Sequence, residues 1–362
     1  MLAKRNKLTK TTVSAICDEL AALNLVREVG QHRNGIGRPA SLLELNPQAR
    51  GAIGLEISTN YVAVLLSDFR GQVVWRENAV TPEAAQQAAI LGQAEALLAA
   101  AIEQARQHAL PLHGIGAAVP GVVDNERGIV IRVPALKWRD VALKPLWVAR
   151  FGLRVIIENK ARAAAIAEQL HGVAQGIKNF VYVGIGTGVG SSVDVAVVVN
   201  GIPYRGAHGL AVDAGHMILD PQGELCPCGQ RGCWRAQADV SREVALVSAR
   251  LASGESSILQ SRPAEVVQNY RAIHQAALEG DALALDVFRN VITLSHAAGI
   301  LNLISLFDPE LVLIGAAEAG LTAEAQQRMQ ALGRISDISI AEEVRRQMSA
   351  RPDPAGHSPR HL

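Results

Sequence analysis

The chain has 362 residues, of which 49% are apolar and only 4% aromatic, and its net charge is +1. This length allows two or three domains, and the apolar content is ample for packed cores. The small net charge gives no bulk signal for nucleic-acid or membrane binding. No uninterrupted apolar run reaches the ~18 residues of a membrane span, and the N-terminus does not resemble a signal peptide. We therefore expect a soluble, cytoplasmic protein without a membrane partner.

The N-terminal segment is modestly basic, whereas the remainder of the chain has a net charge near −3. Residues 1–50 contain eight basic and four acidic side chains, a net charge of +4. Apolar residues recur at helical spacing over 9–23, and Thr9 is placed to cap that helix. The polar side chains near its start suit base edges and phosphates in a major groove, and they are Lys10, Thr11, Thr12 and Ser14.

The flanking segments extend this pattern. Residues 2–5 are typical of the end of a preceding helix, and 25–29 and 41–45 predict the two strands of a wing. The connection between these strands carries glycines together with Arg33 and Arg38, which favours minor-groove contacts. The alternative interpretation is a small packing helix and hairpin with ordinary solvated charges.

The sequence therefore predicts a winged helix-turn-helix domain over residues 1–48, with operator DNA as its partner. The first helix that normally packs behind the recognition helix is expected to be missing, or to start upstream of Met1.

Beyond residue 51 the pattern becomes one of alternating strands and helices, which predicts an α/β body. The predicted elements are three strands over 53–57, 61–68 and 72–75, a helix over 82–109, a strand and glycine turn over 114–121, a strand over 155–157, a helix over 161–170, and strands over 180–184, 193–199 and 311–315.

Three of the four cysteines lie within eight residues, at Cys226, Cys228 and Cys233, and His216 precedes them by ten positions. Thiolates and an imidazole form a closed tetrahedral set for Zn²⁺, and because protein fills all four places a structural metal is favoured over a catalytic one. A disulfide would leave one of the three cysteines over. Free thiols or a redox pair remain the alternatives.

Several motifs occur in a fixed order along the chain. They are the Gly-Arg-Pro wing at 37–39, the segments 119–124, 184–190 and 201–207, the Gly-His pair at 215–216, and the cysteine cluster at 226–233. This order resembles the ROK family (repressors, open reading frames and sugar kinases), specifically its repressor branch, over about residues 1–325.

The resemblance implies an actin/hexokinase-like (ribonuclease H-like) body of two α/β lobes, expected over 51–158 and 159–345. It also implies a zinc ion held by His216 and the three cysteines, and a homodimer or homotetramer. Residues 346–362 have a composition typical of a disordered tail.

Two departures from the family pattern argue against an enzyme. The family's kinases use an Asp directly after an Asn as the base that accepts the proton of the attacking hydroxyl, and Lys160 follows Asn159 here. A lysine that stays protonated cannot accept that proton. The first phosphate-binding turn, at 56–60, also lacks the glycine that the kinases carry. The sequence predicts that the body is not catalytic.

The resemblance also implies a sugar-binding set. Asn159 and His216 match it, Asp213 replaces a glutamate, and cations at Lys160, Arg162 and Arg235 replace the other members. These changes should weaken neutral-sugar binding and favour an anionic ligand such as a sugar phosphate or sugar acid. A pocket that has drifted after loss of selection is the alternative.

These observations predict a sugar-responsive, DNA-binding repressor of carbohydrate-metabolism genes with an inactive kinase-like effector domain. The alternatives are a non-enzymatic remnant that does not bind DNA stably, or an active sugar kinase.

Overall fold

The computed structural model describes residues 2–32, 40–81, 86–186, 193–207, 209–211, 213–261 and 270–317. These residues group into two compact units. Unit 1 contains the described residues of 2–119, 125–130 and 140–158, and unit 2 contains the described residues of 120–124, 131–139 and 159–317. The predicted lobes are continuous segments, whereas two short segments before residue 140 group with unit 2. The predicted tail at 346–362 lies outside the described residues.

Strands dominate the first half of the described chain and helices the second. The strands are β1 Val26–His32, β2 Ala40–Leu45, β3 Gly51–Ile57, β4 Tyr61–Ser67, β5 Val73–Val80, β6 Leu112–Val119, β7 Val122–Asp124, β8 Ile129–Val133, β9 Trp138–Val141, β10 Val155–Asn159, β11 Phe180–Gly186, β12 Val193–Val199, β13 Ile202–Pro203 and β14 Leu311–Ala317. The α-helices are α1 Leu2–Arg5, α2 Lys10–Ala22, α3 Gln87–Gln107, α4 Leu143–Phe151, α5 Lys160–His171, α6 Trp234–Gln237, α7 Val240–Ala252, α8 Tyr270–Leu278, α9 Ala282–Val287 and α10 Leu294–Phe307.

The N-terminal part of unit 1 consists of α1, α2 and the antiparallel β1–β2 hairpin. Thr9 caps α2 as predicted, because its hydroxyl oxygen accepts the N–H of Thr12 at 3.1 Å. β1 is longer than the predicted 25–29. The pairing register shifts between Glu28 and Gly30 and then continues to His32, which pairs with Ala40. A bulge thus lets the strand pass a glycine that would otherwise mark its end.

Unit 1 is built on a five-stranded sheet with strand order β10-β6-β3-β4-β5. β3 runs parallel to β6 and antiparallel to β4. Every second residue of β3 is buried, as expected for a strand with one face against a core. α3 buries an alanine- and leucine-rich face and begins at Gln87, later than the predicted residue 82. Residues 82–85 lie outside the described part of the chain.

Unit 2 is built on a four-stranded sheet with strand order β13-β12-β11-β14. Successive side chains of β11 point to opposite faces of the sheet. Val181 and Val183 pack with α10, and Phe180 packs with α5. Both faces of this sheet are therefore covered by helices. The cysteine-bearing segment lies on the α10 side, where Trp234 joins the same core cluster.

One helical run, Ala282–Phe307, is long and apolar enough to cross a membrane by length and composition alone. It comprises α9, a π-helical turn and α10. Core helices of soluble proteins meet the same criterion, and Ala297, Ile300 and Leu303 of this run pack in the core of unit 2.

Candidate functional site

The four predicted metal ligands lie together in unit 2. The ligand atoms of His216, Cys226, Cys228 and Cys233 are all within 4.8 Å of one another. The Sγ of Cys226 lies 3.6 Å from Nδ1 of His216, and the sulfurs of Cys228 and Cys233 are also 3.6 Å apart. The cysteines are free thiols rather than disulfides. Three thiols and an imidazole at these distances could hold a metal ion.

Glycines allow the backbone to bring these sulfurs together. Gly229 and Gly232 have φ values of +95° and +72°, which other residues rarely adopt. A Cβ on Gly232 would lie 1.4 Å from the carbonyl oxygen of Asp220, so no other residue fits there without a backbone shift. The turn is closed by the N–H of Gly229, which donates to Cys226 O at 2.9 Å.

The protonation of the thiols reflects their crowding. Burial and the neighbouring thiols raise the pKa of Cys233 to about 12, and burial also raises the pKa of Cys226. Burial acts in the same direction on Cys228, but hydrogen bonds from the backbone N–H of Gln230 and from the other thiols outweigh it, so the pKa of Cys228 is lowered. Adjacent thiolates are thus unfavourable without a cation to neutralise them.

The imidazole of His216 lies among charged side chains. Burial lowers its pKa, the Asp213 carboxylate opposes that effect, and the guanidinium groups of Arg235 and Arg132 reinforce it. Arg235 also approaches the backbone here, since a Cβ on Gly215 would lie 3.7 Å from Arg235 Cβ. Asp213, Arg235 and Arg132 thus all lie close enough to His216 to influence its pKa, and their binding of a ligand remains a prediction.

The predicted ligand residues at the start of α5 include two that hydrogen-bond to the backbone. Asn159 caps this helix by accepting the N–H of Arg162 at 3.2 Å, and its Nδ2 donates to Gly121 O at 2.8 Å. Arg162 is 4% exposed, and its Nη1 donates to Gly209 O at 3.4 Å. Lys160 is the first residue of α5 and is half-buried. The described contacts therefore give Asn159 and Arg162 structural partners, and their convergence with Arg235 on a ligand remains a prediction.

The turn that follows β3 is tightly closed. Tyr61 donates its hydroxyl to Glu56 Oε1 at 2.6 Å, and the N–H of Ser58 donates to Tyr61 O at 2.8 Å. This N–H is therefore engaged within the hairpin. The second predicted glycine loop, at 184–190, is described only as far as Gly186.

The predicted DNA-contacting residues of α2 lie in its first two turns. Lys10, Thr11, Thr12 and Ser14 are all exposed. The Thr12 hydroxyl lies 2.8 Å from that of Thr9 and so belongs to the cap of the helix. Arg33 and Arg38 lie outside the described residues.

The comparisons with known proteins agree with this arrangement. The family model for the ROK family matches residues 52–343. The chain belongs to the ROK family. The xylose repressor of Caldicellulosiruptor bescii is 30% identical over 315 residues, which span 87% of this chain and 77% of that protein. The glucokinase of Streptomyces coelicolor is 31% identical over 277 residues, which span 73% of this chain and 80% of that protein.

A solved structure extends the likeness to the fold. The crystal structure of a ROK family transcriptional regulator, a homologue of the Escherichia coli Mlc protein, has a TM-score of 0.76 and 28% identity. The match covers 96% of this chain and 83% of that one. The protein thus has the actin/hexokinase-like α/β fold of the ROK family, whose members include both repressors and kinases.

Sequence reasoning did not identify Arg132 or the residues that support Cys233. Arg132 is distant in sequence from His216, and a single arginine within a strand carries no recognisable spacing. The partner of Trp234 is His296, whose Nδ1 accepts the indole N–H at 3.3 Å. An isolated histidine on an apolar helix gives no signal for such a contact.

Proposed function

We propose that this chain is a sugar-responsive transcriptional repressor. The observation that carries this function is the extent of the alignments. The match to the xylose repressor covers 87% of the chain, whereas the match to the glucokinase covers 73%. The crystal structure of a ROK family transcriptional regulator matches 96% of the chain, which supports the same assignment. The exposed polar start of α2 supports the same function.

In this proposal α2 is the recognition helix of a winged helix-turn-helix. Lys10, Thr11 and Ser14 are exposed in its first two turns, the part of a recognition helix that reaches base edges in a major groove. Thr12 contributes through the helix cap, which fixes the N-terminal turn. Arg33 and Arg38 of the wing are proposed to enter the adjacent minor groove. A homodimer or homotetramer would place two such heads on a two-fold-related operator.

The cysteine–histidine cluster is proposed to bind a structural Zn²⁺. In a tetrahedral site with Zn–S of about 2.3 Å and Zn–N of about 2.0 Å, a sulfur and a nitrogen lie about 3.5 Å apart and two sulfurs about 3.8 Å apart. The corresponding distances of 3.6 Å for Cys226 to His216 and 3.6 Å for Cys228 to Cys233 fit these values. The role of the ion would be to hold the segment together, since no ligand place is left for a substrate.

The body is proposed to be non-catalytic. Lys160 occupies the place of the family's base, and an ammonium group has no lone pair to accept a proton from a sugar hydroxyl. The hairpin after β3 is closed by Tyr61 and Glu56, which supports the absence of a phosphate-binding turn there. We also propose a cytoplasmic location without membrane association, as expected for a regulator that binds DNA.

The effector is proposed to be an anionic sugar. Arg132 and Arg235 both lie near the His216 imidazole, opposed by the single carboxylate of Asp213. Arg162 and Lys160 add two more cations at the start of α5. A cationic surrounding of this kind favours a phosphate or carboxylate group over a neutral hydroxyl. The ligand classes this supports are sugar phosphates and sugar acids, with neutral sugars as the alternative.

The test combines DNA binding with effector release. Purified protein should retard DNA from upstream of its own gene, and glucose 6-phosphate or glucuronate should release it where glucose does not. Arg235→Gln should abolish the release, whereas Arg106→Gln, at an exposed arginine of α3, should leave it intact. Failure to bind this DNA would favour the remnant, and ATP-dependent phosphorylation of a sugar in a coupled assay would favour the kinase. Release by glucose alone would contradict the anionic effector but not the repressor.

A further inference from the structure

Two of the four metal ligands are followed directly by residues that contact one helix. Trp234 follows Cys233, and its indole N–H donates to Nδ1 of His296 at 3.3 Å. Met217 follows His216, and its sulfur accepts from Nδ2 of Asn302 at 3.7 Å. Both partners belong to α10. This helix therefore touches the cluster through two residues that are not ligands themselves.

The contact surface on α10 requires a glycine at its centre. His296, Gly299 and Asn302 are spaced by three residues, so consecutive members are neighbours along one side of the helix. A Cβ on Gly299 would lie 2.4 Å from carbons of the Trp234 ring, whose side chain is fully buried. The His296 and Trp234 rings meet edge to face, with their centroids 6.0 Å apart. The position of the indole is therefore fixed both by a hydrogen bond and by close packing.

The backbone joins the two supported ligands to each other. The N–H of Trp234 donates to Met217 O at 2.8 Å, and Ile218 pairs with Cys233 in an isolated antiparallel bridge. A displacement of the indole would thus move His216 and Cys233 together. Cys226 and Cys228 differ, because they lie in a turn closed by the Gly229 N–H and the Cys226 carbonyl.

We propose that α10 positions the His216–Cys233 half of the metal centre through Trp234, with His296 and Gly299 as the positioning residues. This inference rests on the proposed metal site. Groups that orient metal ligands from outside the coordination sphere commonly change metal affinity about 10–100-fold when they are removed. Burial lowers the pKa of His296 to about 4, so near neutral pH the imidazole is uncharged. The hydrogen bond from the indole N–H to Nδ1 then places the ring proton on Nε2.

Cobalt is the probe for this test, because tetrahedral Co²⁺ with thiolate ligands absorbs visible light in a way that reports ligand geometry. His296→Phe keeps a ring of similar size but removes the acceptor, and we expect Co²⁺ affinity to fall about 10-fold, with altered visible bands. His296→Asn places Oδ1 near the position of Nδ1 and should restore most of the affinity and the native spectrum. A purely structural role would not give this pattern of loss and rescue.

A pair of glycine variants tests the packing surface independently of the hydrogen bond. Gly299→Ala forces a methyl group against the Trp234 ring and should weaken Co²⁺ binding to a similar extent. Gly92→Ala is the matched control, because Gly92 also lies within a helix, α3, and a Cβ there would meet nothing within 4 Å. The ¹⁵N–¹H resonance of the Trp234 indole, assigned with Trp234→Phe, should move in His296→Phe and in Gly299→Ala and stay in place in Gly92→Ala.

The metal site and the role of α10 can be overturned separately. Wild-type protein that takes up neither Co²⁺ nor Zn²⁺ would overturn the metal site and this inference with it. Wild-type protein that binds Co²⁺, together with a folded His296→Phe variant of unchanged affinity and spectrum, would leave the metal site standing and overturn the role of α10. Equal losses in His296→Phe and His296→Asn would also overturn that role.

Discussion

The N-terminal head (α1, α2 and the β1–β2 hairpin) and the cysteine segment of unit 2 (residues 216–234) differ in how far their side chains are buried. No described side chain of α2 is buried, and exposed contacts such as the Arg27–Glu44 ion pair join the strands of its hairpin. In the cysteine segment, Cys226, Cys233 and Trp234 are at most 1% exposed. The head exposes its polar side chains to solvent, whereas the cysteine segment buries two of its three thiols.

This difference indicates what a substitution can do in each region. A residue on the surface of α2 can change an encounter with DNA while the fold stays intact, since surface substitutions usually alter the free energy of unfolding by less than about 0.5 kcal/mol. A packed residue of the cysteine segment such as Gly232 cannot change without disturbing the backbone against which it lies. The head should therefore separate binding from stability, and the cysteine segment should not.

The largest expected effect is that of Gly232→Ala. Its Cβ would lie 1.4 Å from Asp220 O, so the turn must open, and we expect a loss of about 3 kcal/mol or more in the free energy of unfolding, with loss of bound metal. Gly229→Ala is the matched control, because that glycine also has a positive φ but a Cβ there would meet nothing within 4 Å. It should cost only the backbone strain, about 1–2 kcal/mol. Urea unfolding and metal analysis measure both, and equal losses would show that steric contact with Asp220 is not decisive.

The sequence predicted those parts of the site that local spacing specifies. The four ligands lie within eighteen residues of chain, and the glycines that their turns need stand between them. The cap of α2 by Thr9 likewise depends on neighbours three residues apart. Such features follow from the geometry of a few consecutive residues, whatever packs around them.

The parts that sequence reasoning missed depend on residues far apart along the chain. His296 accepts a hydrogen bond from Trp234 across 62 positions, and Arg132, which helps to lower the pKa of His216, precedes it by 84 positions. The predicted end of β1 at residue 29 is too early for a related reason. Gly30 would be expected to end a strand, but pairing with β2 carries the strand past it. Tertiary pairing thus outweighed local preference at each of these places.

A smaller effect on stability but a clear effect on binding is expected for Lys10→Ala. Lys10 is exposed at the first position of α2, so the free energy of unfolding should change by less than about 0.5 kcal/mol. If its ammonium group contacts phosphate, affinity for operator DNA should fall, and the slope of log K against log salt should decrease in magnitude by about 0.9. Arg106→Ala on α3 is the control and should leave the slope unchanged. A parallel loss of stability and affinity in Lys10→Ala would contradict the separation between the two properties.

The smallest expected effect is that of Glu44→Gln, which tests how firmly the head is held. Glu44 Oε1 lies 2.7 Å from Arg27 Nη2, and Oε2 lies 3.5 Å from Nη1 of Arg70, in the connection between β4 and β5. Because both arginines are nearly half exposed, water and salt screen these pairs, and we expect a loss of at most about 1 kcal/mol in the free energy of unfolding, smaller still in high salt. Glu103→Gln, which breaks an exposed pair with Arg106 within α3, is the control and should cost about 0.3–0.5 kcal/mol. A loss of several kcal/mol in Glu44→Gln, absent from the control, would mean that the head is anchored to the first sheet as rigidly as the cysteine segment is anchored to α10. The two regions would then differ in the solvent exposure of their side chains but not in how firmly each is attached to the elements beside it.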